Sequence, residues 1–163
     1  DPPSTVHPPA PLRRQALWAD LGLNLVFGED AEQIGSGLGA GLGWRVWLSP
    51  LWAVGLHFAY GRHPLQDQER DEVLQSMALA AQGASRLFLG PTSLGIALGV
   101  GAQAMGTRDR YDHWYANLHA GLALVWPARG SWALSLQVRP SLLLGDSQVS
   151  FFLPLGLAGA WRW

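Results

Sequence analysis

The chain has 163 residues, of which 48% are hydrophobic and only 14% charged, where ordinary soluble proteins carry roughly a quarter charged residues. That length predicts one domain, and a formal net charge of −1 gives no reason to expect nucleic acid as a partner. With no cysteine, a disulfide framework, a thiolate metal site and a cysteine nucleophile are excluded, and 20 glycines, 11 prolines and 9 tryptophans argue against a helical bundle.

The chain opens at Asp1 without methionine or a charged-then-apolar leader, so it reads as a mature form whose signal peptide has been removed. Residues 1–15 carry prolines at 2, 3, 8, 9 and 11. Proline donates nothing to a β-ladder, so this segment is expected to be an extended, solvated tail, with a handle for a periplasmic or membrane protein partner as the alternative. From 16 to 163 the pattern changes to an alternation of period two, the mark of strands whose successive side chains point to opposite faces.

Eight alternating segments follow. The first, about 16–27, sets Leu17, Leu21, Leu23 and Leu25 against Trp18, Asp20, Gly22 and Asn24. An acidic loop with Glu29, Asp30 and Glu32 comes next, a solvated loop by default. In the second, about 34–48, Leu38, Leu42, Trp44 and Val46 alternate with Gly35, Gly37, Gly39, Gly41, Gly43 and Arg45. Ser49-Pro50 turns the chain into the third, about 51–61, where Trp52, Leu56 and Phe58 oppose His57 and glycine or alanine, and Arg62 to Asp71 forms a charged loop. The fourth, about 73–88, is the least regular: Gln75, Gly83 and Ser85 spoil its apolar row, Gln82 and Arg86 lie on the other, and a helix over part of it competes.

Gly90-Pro91 turns into the fifth, about 93–105. A charge-free run of 21 residues, Leu87 to Thr107, is long enough for a membrane helix, but its glycines and its period-two alternation favour a strand. The sixth, about 113–126, places Trp114, Leu118, Leu122 and Trp126 opposite Asn117 and His119. The seventh, about 131–144, places Trp132, Leu134, Leu136 and Val138 opposite Gln137 and Arg139. The last, 149–163, has Trp163, Trp161, Leu157, Leu155 and Leu153 on one face, and Arg162 with small residues and Phe152 on the other.

The polar residues of nearly every segment thus share a face with glycine and alanine, while the other face is Leu, Val, Ile and Trp. A narrow barrel has no room for so many large side chains inside but can present them to lipid. Small and polar within, apolar without, is the transmembrane-barrel pattern. The expected fold is all-β: a transmembrane antiparallel up-and-down β-barrel of eight strands spanning 16–163, closed because an open edge in hydrocarbon strands unpaired backbone groups. Trp44, Trp52, Trp126, Trp132, Trp161 and Trp163 all sit on the apolar face beside short turns or the C-terminus, and are read as one aromatic belt. Short turns are normally periplasmic, which would put both termini in the periplasm.

With the terminal Trp163 and apolar residues at alternate positions before it, here Trp161 and Leu157, the chain resembles a small bacterial outer-membrane β-barrel of the eight-stranded kind. The resemblance implies outer-membrane localisation, contact with outer-membrane lipid and lipopolysaccharide, and recognition of the last strand by the barrel-assembly machinery. It covers about Gln15 to Trp163 and carries no subfamily motif.

The inward polar residues expected to form a lumen network are Asp20, Asn24, Arg45, His57, Gln82, Arg86, Asn117, His119, Gln137, Arg139 and Arg162. Asp20 is expected to pair with Arg45 or Arg162, and the glycine row 35–43 suggests free volume in the lumen wall. His57 and His119 sit near mid-depth without a third ligand, so no metal is expected, and no cofactor. Leu38 and Leu136 are expected near mid-membrane, with Gly41→Ser a mild change. No Ser, His and acid converge outward, so no enzyme is expected. The functional expectation is a non-enzymatic membrane anchor or subunit of a cell-envelope assembly. A narrow, weakly anion-preferring channel for small solutes stands second and a lipid-modifying enzyme third.

Overall fold

The computed structural model describes residues 14–27, 33–65, 73–107, 110–127, 130–145 and 149–163. The acidic loop residues Glu29, Asp30 and Glu32 and most of the tail 1–15 lie outside them. Among the described residues the strands are β1 (Gln15–Phe27), β2 (Gly37–Trp47), β3 (Trp52–Pro64), β4 (Val73–Leu89), β5 (Thr92–Thr107), β6 (Arg110–Pro127), β7 (Trp132–Val138), β8 (Ser141–Leu144) and β9 (Val149–Arg162). All belong to one antiparallel sheet, which β1 and β9 close through a ladder running from Ala16↔Arg162 to Phe27↔Phe151. Both β7 and β8 pair with β6 on one side and β9 on the other, so they are halves of one barrel strand. The break falls at Arg139-Pro140, where proline has no N–H to give; the Arg139 N–H still donates to Pro154 O (2.9 Å) and the Ala120 N–H to Pro140 O (3.0 Å). The barrel is therefore closed, antiparallel and eight-stranded.

Several boundaries differ from the sequence pattern. β1 already includes Gln15, whose N–H donates to Trp163 O at 3.1 Å. β2 starts at Gly37, with Ile34 held by a single bridge to Leu65. β3 continues through Arg62, His63 and Pro64, which the pattern assigned to a loop. The irregular stretch 73–88 is strand throughout, because β3 and β5 pair with it on both sides from Pro64↔Val73 to Leu89↔Thr92. Flanking ladders override its high share of helix-forming Ala, Leu and Gln. The run 87–107 is the end of β4, a two-residue turn and β5. Gly90 has φ +66 there, a conformation that suits glycine, and Pro91 supplies the negative φ that follows in a tight hairpin.

The two faces separate as the alternation requires. Leu21, Leu98 and Leu157 are 70%, 66% and 68% exposed on the outer surface, whereas His57 is 4% exposed and Leu143 fully buried. The six tryptophans of the expected belt are all exposed outward, and Trp161 stacks on Trp163 with ring centroids 4.7 Å apart. Phe27, Phe151 and Trp114 are the exposed aromatics toward the opposite end, Phe27 lying 5.9 Å from Phe151. Such an apolar band is stable in lipid, where a closed ladder satisfies every backbone group within the wall.

Candidate functional site

The lumen is organised around one polar layer at mid-height. Asp20 on β1, His57 on β3 and Arg139 between β7 and β8 all point inward. Arg139 Nη2 donates to Asp20 Oδ2 at 3.3 Å. His57 Nε2 lies 3.2 Å from the same oxygen, and Arg139 Nη1 lies against both ring nitrogens, 2.9 Å from Nδ1 and 2.8 Å from Nε2. With its proton on Nε2 the ring donates to Asp20 and offers Nδ1 as the acceptor for Arg139. The carboxylate partner is thus Arg139, not the expected Arg45 or Arg162. β9 lies between the two and presents only Pro154, Gly156 and Ala158 at that height, so the long Arg139 side chain reaches past it. Asp20 also shares the level of His57, where the sequence pattern placed no acid. No group of three or more His, Cys, Asp or Glu that could hold a metal ion occurs among the described residues.

The glycine row of β2 is occupied space, contrary to the free volume expected of it. β1 pairs with β2 so that Trp18 faces Gly43, Asp20 faces Gly41 and Asn24 faces Gly37. A methyl group at Gly43 would run into the Trp18 indole; one at Gly41 would lie 2.6 Å from His57 Nε2 and 2.7 Å from Asp20 Oδ2; and one at Gly39 would lie 2.7 Å from the Asn24 amide. The side chains missing from β2 are supplied by β1. Gly41→Ser is therefore not the mild change anticipated. Trp18 in turn lies parallel to His57, with centroids 5.9 Å apart and planes within 2°, and carries the Arg45 guanidinium 4.7 Å above its ring.

The polar layer divides the lumen into two chambers. Toward the long-loop end, about 70 Å³ of water-accessible space is bordered by Asn24, Ser76, Gln103, Asn117 and His119. Asn117 Nδ2 donates to Gln103 Oε1 at 2.8 Å, a partner the sequence pattern did not single out. Beyond that chamber Val26, Met105, Leu143 and Phe152 pack into an apolar plug, with His63 edge-on to Phe152 at 5.4 Å. These positions continue the inward parity of their strands, but the pattern of small and polar residues ends before them. Toward the short-turn end a second chamber is bordered by Arg45, Gln82, Arg86, Gln137, Arg139 and Arg162. Arg86 stacks on Trp47 at 4.1 Å and donates through Nη2 to Pro50 O at 3.3 Å, while Arg162 Nη2 donates to Trp132 O at 3.4 Å.

The chain matches no protein-family model and no curated protein. Its fold is that of solved outer-membrane barrels. Neisserial surface protein A superposes with a TM-score of 0.73 at 9% identity, over 91% of this chain and 97% of that one. Ail, the attachment invasion locus protein of Yersinia pestis, gives 0.61 at 16% identity over 93% of this chain and 100% of its own. The outer membrane protein OprG from Pseudomonas aeruginosa gives 0.57 at 10% identity over 93% and 98%. At these identities the likeness is one of fold. Combined with the closed ladder and the outward apolar band, it gives the chain the fold of the small bacterial outer-membrane β-barrels.

Proposed function

We propose that this outer-membrane barrel is a non-enzymatic membrane anchor or a subunit of a cell-envelope assembly. The observation that carries this reading is that the lumen is obstructed twice, by the Asp20–His57–Arg139 layer and by the apolar plug of Val26, Met105, Leu143 and Phe152. A solute on its way through would have to break a buried ion pair and then part a packed apolar cluster, each costly. That argues against the narrow channel. Hydrolase chemistry at His57 finds no support either, since Nε2 faces Asp20 and Arg139 lies against both ring nitrogens, leaving none to activate a hydroxyl. The fold itself hosts more than one activity and does not choose among them.

In this reading the short-turn end faces the periplasm, and residues 1–15, joined to β1 at that end, reach the periplasmic or membrane partner. Lipid and lipopolysaccharide surround the apolar band, and the strand ending at Trp163 is what the barrel-assembly machinery reads. The test is planar-bilayer conductance of the refolded chain alongside mild-detergent extraction from native envelopes. A silent bilayer and a co-purifying protein that is lost on deleting 1–15 are expected. Reproducible single-channel steps from the wild-type chain would overturn the closed-barrel reading.

A further inference from the structure

The short-turn chamber contains hydrogen-bond donors in excess of acceptors. Arg45 Nε, Arg86 Nε, Gln82 Nε2 and Gln137 Nε2 border it, and each is buried without an acceptor among the described residues. Gln82 is only 7% exposed. The guanidinium groups sit over indole rings, Arg45 over Trp18 at 4.7 Å and Arg86 over Trp47 at 4.1 Å; Arg86 Nη2 donates to Pro50 O, and both side chains line the space of the chamber. That space is about 110 Å³, enough for several waters or one small oxyanion.

The charge balance is equally one-sided. Asp20 and Asp112 are the only acidic side chains among the described residues, and Asp112 lies at the opposite end of the barrel. Asp20 is engaged by Arg139. Arg45 and Arg86 remain, in a narrow lumen surrounded by lipid, with no acidic side chain among the described residues left to pair with them. Buried charges of one sign call for a counter-charge. The planar fork of a guanidinium suits bidentate binding of a tetrahedral oxyanion. A monocarboxylate offers two acceptor oxygens; a phosphate or sulfate group offers more non-bridging and ester oxygens and accepts from several donors at once.

We propose that this chamber is a dead-end receptor site for a phosphate or sulfate group, entered from the short-turn end and floored by the Asp20–His57–Arg139 layer. The site binds and does not pass its ligand on, so it rests on the closed lumen only for its floor. The two readings fail separately: conductance tests the floor, and binding tests the site.

The experiment is isothermal titration of the full chain, refolded in a non-ionic detergent at low ionic strength, with pyrophosphate, sulfate and acetate. Saturable one-to-one binding of pyrophosphate is expected, with acetate weaker by roughly tenfold or more. Arg86→Gln and Arg45→Gln should each weaken pyrophosphate by about tenfold, Arg86→Lys by less, because lysine keeps the charge and loses the fork. Ser76→Ala, on the far side of the polar layer, should leave binding unchanged. Heat-modifiable gel mobility establishes that each variant is folded, and the wild-type titration needs no variant at all. Adding phosphatidylglycerol to the micelles separates the suppliers of the group: competition points to a lipid headgroup and its absence to a soluble phosphorylated or sulfated compound, and either keeps the site. No saturable pyrophosphate binding by the wild type, equal affinity for acetate, or unchanged affinity in folded Arg86→Gln would overturn it.

Discussion

Replacing Asp20 with alanine should destabilise the barrel far more than removal of a single exposed carboxylate would. Asp20 and Arg139 are 14% and 13% exposed, and their contact sits between two lumen chambers inside a lipid-facing wall. Without Asp20, the Arg139 guanidinium keeps only the neutral His57 ring. Breaking one side of a buried pair costs roughly 3–5 kcal/mol. Water in both chambers can relax around the orphaned cation, so about 3 kcal/mol is the expected loss. The assay is urea unfolding of the chain refolded into phosphatidylcholine vesicles, followed by tryptophan fluorescence. Asp20→Asn, which keeps the volume and an acceptor, should recover part of the loss. In a double-mutant cycle, Asp20→Ala combined with Arg139→Ala should cost clearly less than the sum of the single changes, because the second removes the charge that the first orphans. A loss below about 1 kcal/mol for Asp20→Ala, or additivity of the two changes within about 0.5 kcal/mol, would refute the buried-pair account.

Three further outcomes follow from the geometry. Leu98, paired with Ala120 midway between Trp114 and Trp126, should lose roughly 2–4 kcal/mol on Leu98→Arg; Leu38 pairs with the exposed Arg62 near the rim rather than lying at mid-membrane, so Leu38→Arg should cost about 1 kcal/mol or less in the same vesicles. Gly43→Ala drives a methyl into the Trp18 ring and should cost about 1–3 kcal/mol, whereas Gly83→Ala on the outer face meets nothing within 4 Å and should be neutral or slightly stabilising; equal effects would contradict the assignment of faces. Cysteines at Gln33 and Gly145 should react with an impermeant maleimide on intact cells and one at Leu48 should not, and the reverse pattern would invert the proposed orientation.

The outer face of this barrel was legible in the sequence because it depends only on period two and on side-chain size. Leu98 or Leu157 points to lipid whatever its neighbours are, and the same parity placed Asp20, His57 and Arg139 inside. What fills the lumen was not legible, because it depends on cross-strand register. The glycines of β2 look like empty wall until Trp18 is known to face Gly43 and Asp20 to face Gly41. The pairing of Asp20 with Arg139 spans an intervening strand and 119 positions of chain, beyond any local pattern. Leu143 and Met105 read as ordinary apolar residues in sequence; only the continuous parity of their strands, carried past the polar stretch, turns them into a plug.

The bare strand beside a loaded one also bears on how the first hairpin settles. A slip of β1 against β2 by two residues keeps every leucine outward, so the apolar band cannot oppose it. In one direction the slip sets Trp18 directly opposite Arg45, which crowds two large side chains at one inward position of a narrow lumen. In the other it sets Trp18 against Gly41 and Asp20 against Gly39, and the run of glycines allows it. Only that second shift needs a further penalty, and the polar layer supplies it by drawing Asp20 away from His57 and Arg139. The three residues that obstruct the lumen therefore also select one staggering of the strands, and with it one diameter and tilt, from a pair that lipid alone would treat as equivalent.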